Sequence, residues 1–195
     1  MNWKTFVCCR FVLFFCSFGQ ASRVSFDNRD QAADVLQFWK THKASVSSQF
    51  SGYLGAFGVS IGLYFQPQWS FSIGYGGSGH FQSYGLRVQR SIMMSSALNP
   101  YFAMGVSRWH RTRDGNFDPN RVSPGFLVRD LLSEADRRDS RIDERLVHGA
   151  FGFSYVVTEA SVLQDFGAFA EVLLLLDPKD FVMAPTVSVG LSYFF

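Results

Sequence analysis

The sequence predicts an all-β protein: a closed antiparallel transmembrane β-barrel of eight strands, with a short amphipathic helix before it. Three observations carry this expectation. First, segment after segment alternates bulky apolar residues with small ones. Phe57, Val59, Ile61, Leu63 and Phe65 fall on one face of a strand, and Gly58, Ser60, Gly62 and Tyr64 on the other. Second, the minor face is rich in Gly, Ser and Ala, where a water-facing sheet would carry Lys, Glu and Thr. A narrow barrel needs small residues inside, and a bulky outer face suits lipid. Third, no run of about 18 apolar residues follows the amino-terminal segment, so helices are not the expected spanning elements.

Residues 1–21 read as a signal peptide. Lys4 supplies a positive start, Phe6 to Phe18 is mostly apolar, and Gly19-Gln20-Ala21 offers small residues for cleavage. Cys8, Cys9 and Cys16 all lie here, so the processed chain is expected to have no thiol for catalysis, disulfides or metal. Of the 18 basic residues, Lys4 and Arg10 also leave with it; the remaining 16 match the 16 acidic ones. No basic excess argues for nucleic acid. Residues 22–43 form an amphipathic segment. Asp27 or Asn28 can cap a helix in which Ala32, Val35, Leu36 and Trp39 share a face, with Phe38 beside them. The expected position is the inner membrane-water interface. The competing reading makes 35–43 a strand.

The barrel is expected over 44–195. Seven strands are clear, at about 54–65, 69–76, 81–94, 100–112, 145–157, 162–176 and 186–195. An even number needs one more, and 43–50 is the candidate, followed by Ser51-Gly52-Tyr53 as a tight outer loop. Gln66-Pro67-Gln68, 95–99 and 158–161 are short and turn-like, whereas 113–145 is long. Short turns belong on the periplasmic side and long loops outside, which orients every strand. Trp69, Tyr75, Tyr84, Trp109, Tyr155, Tyr193 and Phe195 lie near strand ends, as interfacial girdles require.

The polar residues on the small-residue face form the candidate site. Arg87 and Glu171 sit mid-strand on the fourth and seventh strands. A charge in so narrow an interior needs a partner. With Gln89, Asp165, His148 and Tyr64 they make a candidate lumen network, acting either as a plug or as a gate. His42, His80 and His110 match no metal-ligand spacing, and no phosphate-loop or nucleophile-elbow motif occurs. No cofactor, metal or catalytic residue is expected. The long loop mixes Asp118, Asp130, Glu134, Asp136, Asp139, Asp143 and Glu144 with Arg121, Arg129, Arg137, Arg138 and Arg141. It offers a surface for an unidentified partner or for lipopolysaccharide phosphates. Residues 127–138 read as a short helix within it.

The terminal residues resemble the insertion signal of Gram-negative outer-membrane barrels: Ser188, Gly190, Tyr193 and Phe195 fill its polar, glycine and aromatic places. With the Gln66-Pro67-Gln68 turn and the Asn99-Pro100-Tyr101 strand start, residues 54–195 resemble the small eight-stranded family typified by the OmpA transmembrane domain and OmpX. The resemblance implies outer-membrane residence, lipid and lipopolysaccharide as surroundings, and the barrel assembly machinery as a partner. The resemblance is specific for the architecture and not for an activity. The first functional expectation is a structural or surface-interaction protein, with the barrel as a scaffold for the long loop and the lumen closed by its polar network. The alternative is a narrow channel for small solutes. Some outer-membrane barrels modify lipids, and His110 lies beside the hydroxyl of Thr112, but no orienting carboxylate is near in sequence. No enzyme is expected.

Overall fold

A computed structural model describes residues 28–79, 81–93, 96–111, 142–157 and 165–195. Helix α1 (Asn28–Thr41) precedes eight strands. These are β1 (Ala44–Phe50), β2 (Phe57–Gln66), β3 (Trp69–Ser78), β4 (Phe81–Ser91), β5 (Leu98–His110), β6 (Asp143–Val156), β7 (Phe166–Asp177) and β8 (Val182–Phe194). Each strand pairs antiparallel with the next, and β1 pairs with β8 to close the barrel. The connection between β5 and β6 marks one end, called here the long-loop end; α1 marks the other.

The alternation seen in the sequence is the alternation of the wall. Phe57, Val59, Ile61, Leu63 and Phe65 are all exposed outward, as are Phe102, Met104 and Val106 on β5 and Val187, Val189 and Leu191 on β8. Lumen-facing positions are buried or half-buried. Among the described residues no helix is long and apolar enough to cross a membrane.

Several boundaries shift. β6 begins at Asp143, so the last residues assigned to the long loop are strand. β8 begins at Val182 and runs through Pro185, which faces outward opposite Leu174. The proline and the preceding turn residues hid its first positions. β1 is the strand expected before Leu54, and it hydrogen-bonds on both sides. The signal segment 1–21, residues 112–141 of the long loop with their expected helix, and the 158–161 turn lie outside the described residues.

Two placements differ from expectation more deeply. The residues after β1 do not form a simple outer loop. Ser51, Gly52 and Gly55 take positive φ (62°, 104° and 94°), and the chain between β1 and β2 turns into the barrel. Tyr53 and Leu54 are 1% and 0% exposed. Trp109, expected in a girdle, is likewise buried in the lumen. It stacks on Phe81 with centroids 4.8 Å apart. Its parity along β5 is that of Tyr101, Ala103 and Ser107, all lumen-facing.

Helix α1 is also buried differently. Much of its apolar face turns to the barrel, with Leu36 left exposed. Val35, Phe38 and Trp39 pack on Phe194, Val156 and Tyr64 at the barrel mouth. Phe194 interrupts the small-residue face of β8 because it meets this helix: its ring lies 5.2 Å from Phe38 and 5.5 Å from Trp39. At the helix end, the Thr41 hydroxyl donates to Gln37 O and Phe38 O. His42 Nε2 lies 3.0 Å from Asp165 Oδ1, tying α1 to the connection before β7.

Candidate functional site: the barrel interior

Three layers fill the lumen. The layer nearest the long-loop end is apolar. Tyr53 and Leu54 reach in from the β1–β2 connection and join Phe81, Trp109, Leu146 and Leu173 in one core cluster. The inturned segment satisfies its own backbone. Trp109 Nε1 donates to Tyr53 O at 2.8 Å, and the Ser83 hydroxyl donates to Leu54 O. Such partners are needed because an unpaired carbonyl in this interior costs free energy. The small residues of β2 and β3 make its socket: a Cβ on Gly58 would stand 2.6 Å from Leu54 Cβ, and one on Gly74 2.5 Å from Leu54 Cδ1.

The middle layer is ionic. Arg87 on β4 and Glu171 on β7 meet across the lumen in a two-pronged pair. Nη1 donates to Oε1 at 2.9 Å and Nη2 to Oε2. The Tyr101 hydroxyl adds a 2.8 Å hydrogen bond to Oε2. The guanidinium lies between two rings, 5.5 Å from the Tyr53 centroid and 5.6 Å from that of Tyr101. Cation–π attraction and the planar fork suit Arg for this place better than Lys. Register explains the space. Arg87 is flanked by Ser72 and Gly105, and Glu171 by Gly152 and Ser188. A Cβ on Gly152 would stand 2.6 Å from Glu171 Cβ.

The layer nearest α1 is a small polar chamber of about 60 Å³. Ser45, Ser47, Ser60, Ser70, Ser72 and Gln89 are among the residues lining it. Arg87 of the ion pair bounds it on one side; on the other it is lined by Tyr64 and Phe194, on which Trp39 of α1 packs.

The candidate network therefore divides. Arg87 and Glu171 touch. Gln89 and Tyr64 line the chamber, and Tyr64 also packs beside Trp39 at 5.3 Å. His148 is buried in the long-loop half and stacks on Tyr53 at 4.4 Å. Asp165 is not in the lumen cluster. It precedes β7 with φ of 73° and faces His42. Sequence reasoning missed Tyr101 and Tyr53. Tyr101 had a signal, since it shares the parity of the small residues of β5; Tyr53 had none beyond the glycines around it. Of the pair His110 and Thr112, the second lies outside the described residues; His110 stands beside the Tyr84 ring at 5.4 Å.

The terminal signal residues divide by face. Tyr193 and Phe195 are exposed on the outer wall, and Ser188 and Gly190 are buried inward. Phe195 exchanges backbone hydrogen bonds with Ala44, which lengthens the β1–β8 seam.

No family model matches the chain, and no curated protein does. Solved structures do. The N-terminal β-barrel domain of Pseudomonas aeruginosa OprF is 13% identical over 79% of this chain and 98% of its own, with a TM-score of 0.53. Neisserial surface protein A is 14% identical over 78% of this chain and 95% of its own, with a TM-score of 0.44. The Yersinia pestis outer membrane protein Ail is 13% identical over 79% of this chain and 99% of its own, with a TM-score of 0.42. The chain thus has the fold of a small eight-stranded outer-membrane β-barrel, on the strength of the OprF likeness.

Proposed function

We propose that the protein is an integral outer-membrane β-barrel of a Gram-negative bacterium that serves as a closed scaffold for its long charged loop. One observation carries the reading. The outer wall is an apolar belt, with large side chains exposed on all eight strands, while the Arg87–Glu171 pair is turned inward. Water does not favour so large an exposed patch; hydrocarbon does. The OprF-like fold agrees with that surrounding. Arg111 and Ile142, which flank residues 112–141, hydrogen-bond to each other beyond the ends of β5 and β6, and the loop between them is expected to face outside.

The packed lumen favours a scaffold over a channel. Three separate blocks lie along its axis: the inturned Tyr53–Leu54 segment, the Arg87–Glu171 pair, and α1. Ser188, Gly190, Tyr193 and Phe195 serve in this reading as the contact for the barrel assembly machinery.

The test is membrane fractionation of cells expressing the full chain, with surface proteolysis. The expected result is an outer-membrane protein of heat-modifiable mobility that intact-cell protease cuts only within 112–141. Recovery in the soluble fraction sinks the proposal. Deleting 116–141 should leave the heat-modifiable barrel and abolish surface binding; binding that survives the deletion removes the loop from the account.

A further inference from the structure

The outer wall carries a concavity that the scaffold role does not use. Near the long-loop end, Ile73, Leu86, Val106 and Val147 line an apolar groove of about 370 Å³. Arg108 and Arg145 stand at its head, directly opposite each other on β5 and β6. Like charges in that position repel. Arg108 is compensated. Its Nε and Nη2 donate to Asp143 at 2.8 and 3.1 Å, and Nη1 donates to the Tyr84 hydroxyl at 3.3 Å. Arg145 is exposed and forms no ion pair among the described residues.

A second observation lies beside the groove. Gly149 faces outward on β6, between Val147 and Phe151. Nothing lies within 4 Å of where its Cβ would stand. On a wall otherwise made of bulky side chains, this leaves open space two positions beyond Val147, on the face of β6 that also carries Arg145.

We propose that this groove seats one acyl chain of a phosphorylated glycolipid of the outer leaflet, with its phosphate held by Arg145. The polarity of the site is that of such a lipid: a greasy channel ending at a guanidinium that no described residue compensates, which binds phosphate oxygens through its planar fork. Charge complementarity selects an anionic head, and the long-loop end selects the leaflet that faces outside. The inference rests on the outer-membrane reading above.

The experiment uses the full processed barrel folded in detergent and mixed with lipid A, with lipid A lacking phosphate, or with phosphatidylglycerol, followed by native mass spectrometry. The wild type should retain one lipid A, and neither of the other two lipids. Arg145→Gln should lower retention about tenfold, the loss of one charge-assisted contact. Gly149→Phe should lower it by filling the open space beside the groove, and Arg90→Gln, at the opposite end of β4, should not. Heat-modifiable mobility of each variant establishes that it is folded. Equal retention by Arg145→Gln and wild type overturns the proposal, as does equal retention of phosphatidylglycerol. A wild type that inserts into phospholipid vesicles but retains no lipid A sinks this inference alone; failure to insert sinks the membrane reading as well.

Discussion

Arg87 and Glu171 are 84 positions apart in the chain and hold each other across the lumen through two parallel hydrogen bonds. Both side chains are almost wholly removed from solvent, at 6% and 0% exposure. In that setting the cost of taking two charges out of water is offset only while both are present.

Removing one partner should therefore cost more than removing both. Arg87→Met or Glu171→Met alone is expected to destabilise the barrel by about 3–5 kcal/mol, because an uncompensated buried charge remains. The double variant should lose less than the sum of the two. Urea unfolding from phospholipid vesicles measures all three. Strict additivity would mean that the pair is not coupled.

The lumen should not conduct. Planar bilayers containing the wild type are expected to show negligible current, and Glu171→Ala should be equally silent. Tyr53 and Leu54 still fill one half of the lumen in that variant, and α1 still covers the other mouth. Discrete current steps from Glu171→Ala would make the ion pair a gate and revive the channel alternative.

The fit of Leu54 among glycines predicts a specific rescue. Gly58→Ala puts a methyl against Leu54 Cβ and is expected to cost about 1–3 kcal/mol through overpacking. Leu54→Ala leaves that Cβ in place but removes the rest of the side chain, so the inturned segment can shift; the pair should recover part of the loss. Gly76→Ala should not be rescued, since its methyl meets the backbone oxygens of Phe57 and Leu54. Thermal unfolding in detergent reads each variant, and rescue of Gly76→Ala by Leu54→Ala would refute the socket.

Helix α1 should detach without unfolding the barrel. Trp39→Ala removes the largest buried side chain of the helix, a loss of about 3–5 kcal/mol for a well-packed site. Trypsin cleavage after Lys40 should accelerate by at least about tenfold while strand content by circular dichroism stays constant. Unchanged cleavage would show that the docking energy lies elsewhere, for instance in the His42–Asp165 contact.

Much of the architecture was legible because a strand writes its two faces into alternate positions. The lipid-facing sets of β2, β3, β5 and β8 could be read directly, and so could the lumen placement of Arg87 and Glu171. Trp109 has the residue type of a girdle, but its parity with Tyr101 places it in the lumen. The inward turn of Tyr53 and Leu54 leaves no period at all. It depends on glycines at 58 and 74, on two other strands' lumen faces, and on Trp109, a partner 56 positions away. Asp165 shows the same limit from the other side. Its parity matched the lumen, but the residue precedes β7 and its backbone conformation breaks the alternation. The amphipathic face of α1 was visible, yet amphipathicity names no partner, and the mouth of a barrel serves as well as a lipid surface.

The seam between β1 and β8 has a consequence for how the molecule comes into being. The hydroxyls of Ser47 and Ser192 bond at 2.8 Å across a separation of 145 positions. Contacts that distant form late and slowly, since the intervening chain must first be organised. Phe194, on which α1 docks, belongs to that same final strand. The mouth can be stoppered only after the cylinder has shut, so an arrested intermediate should carry a loose helix, a wet interior and two unpaired edges awaiting each other.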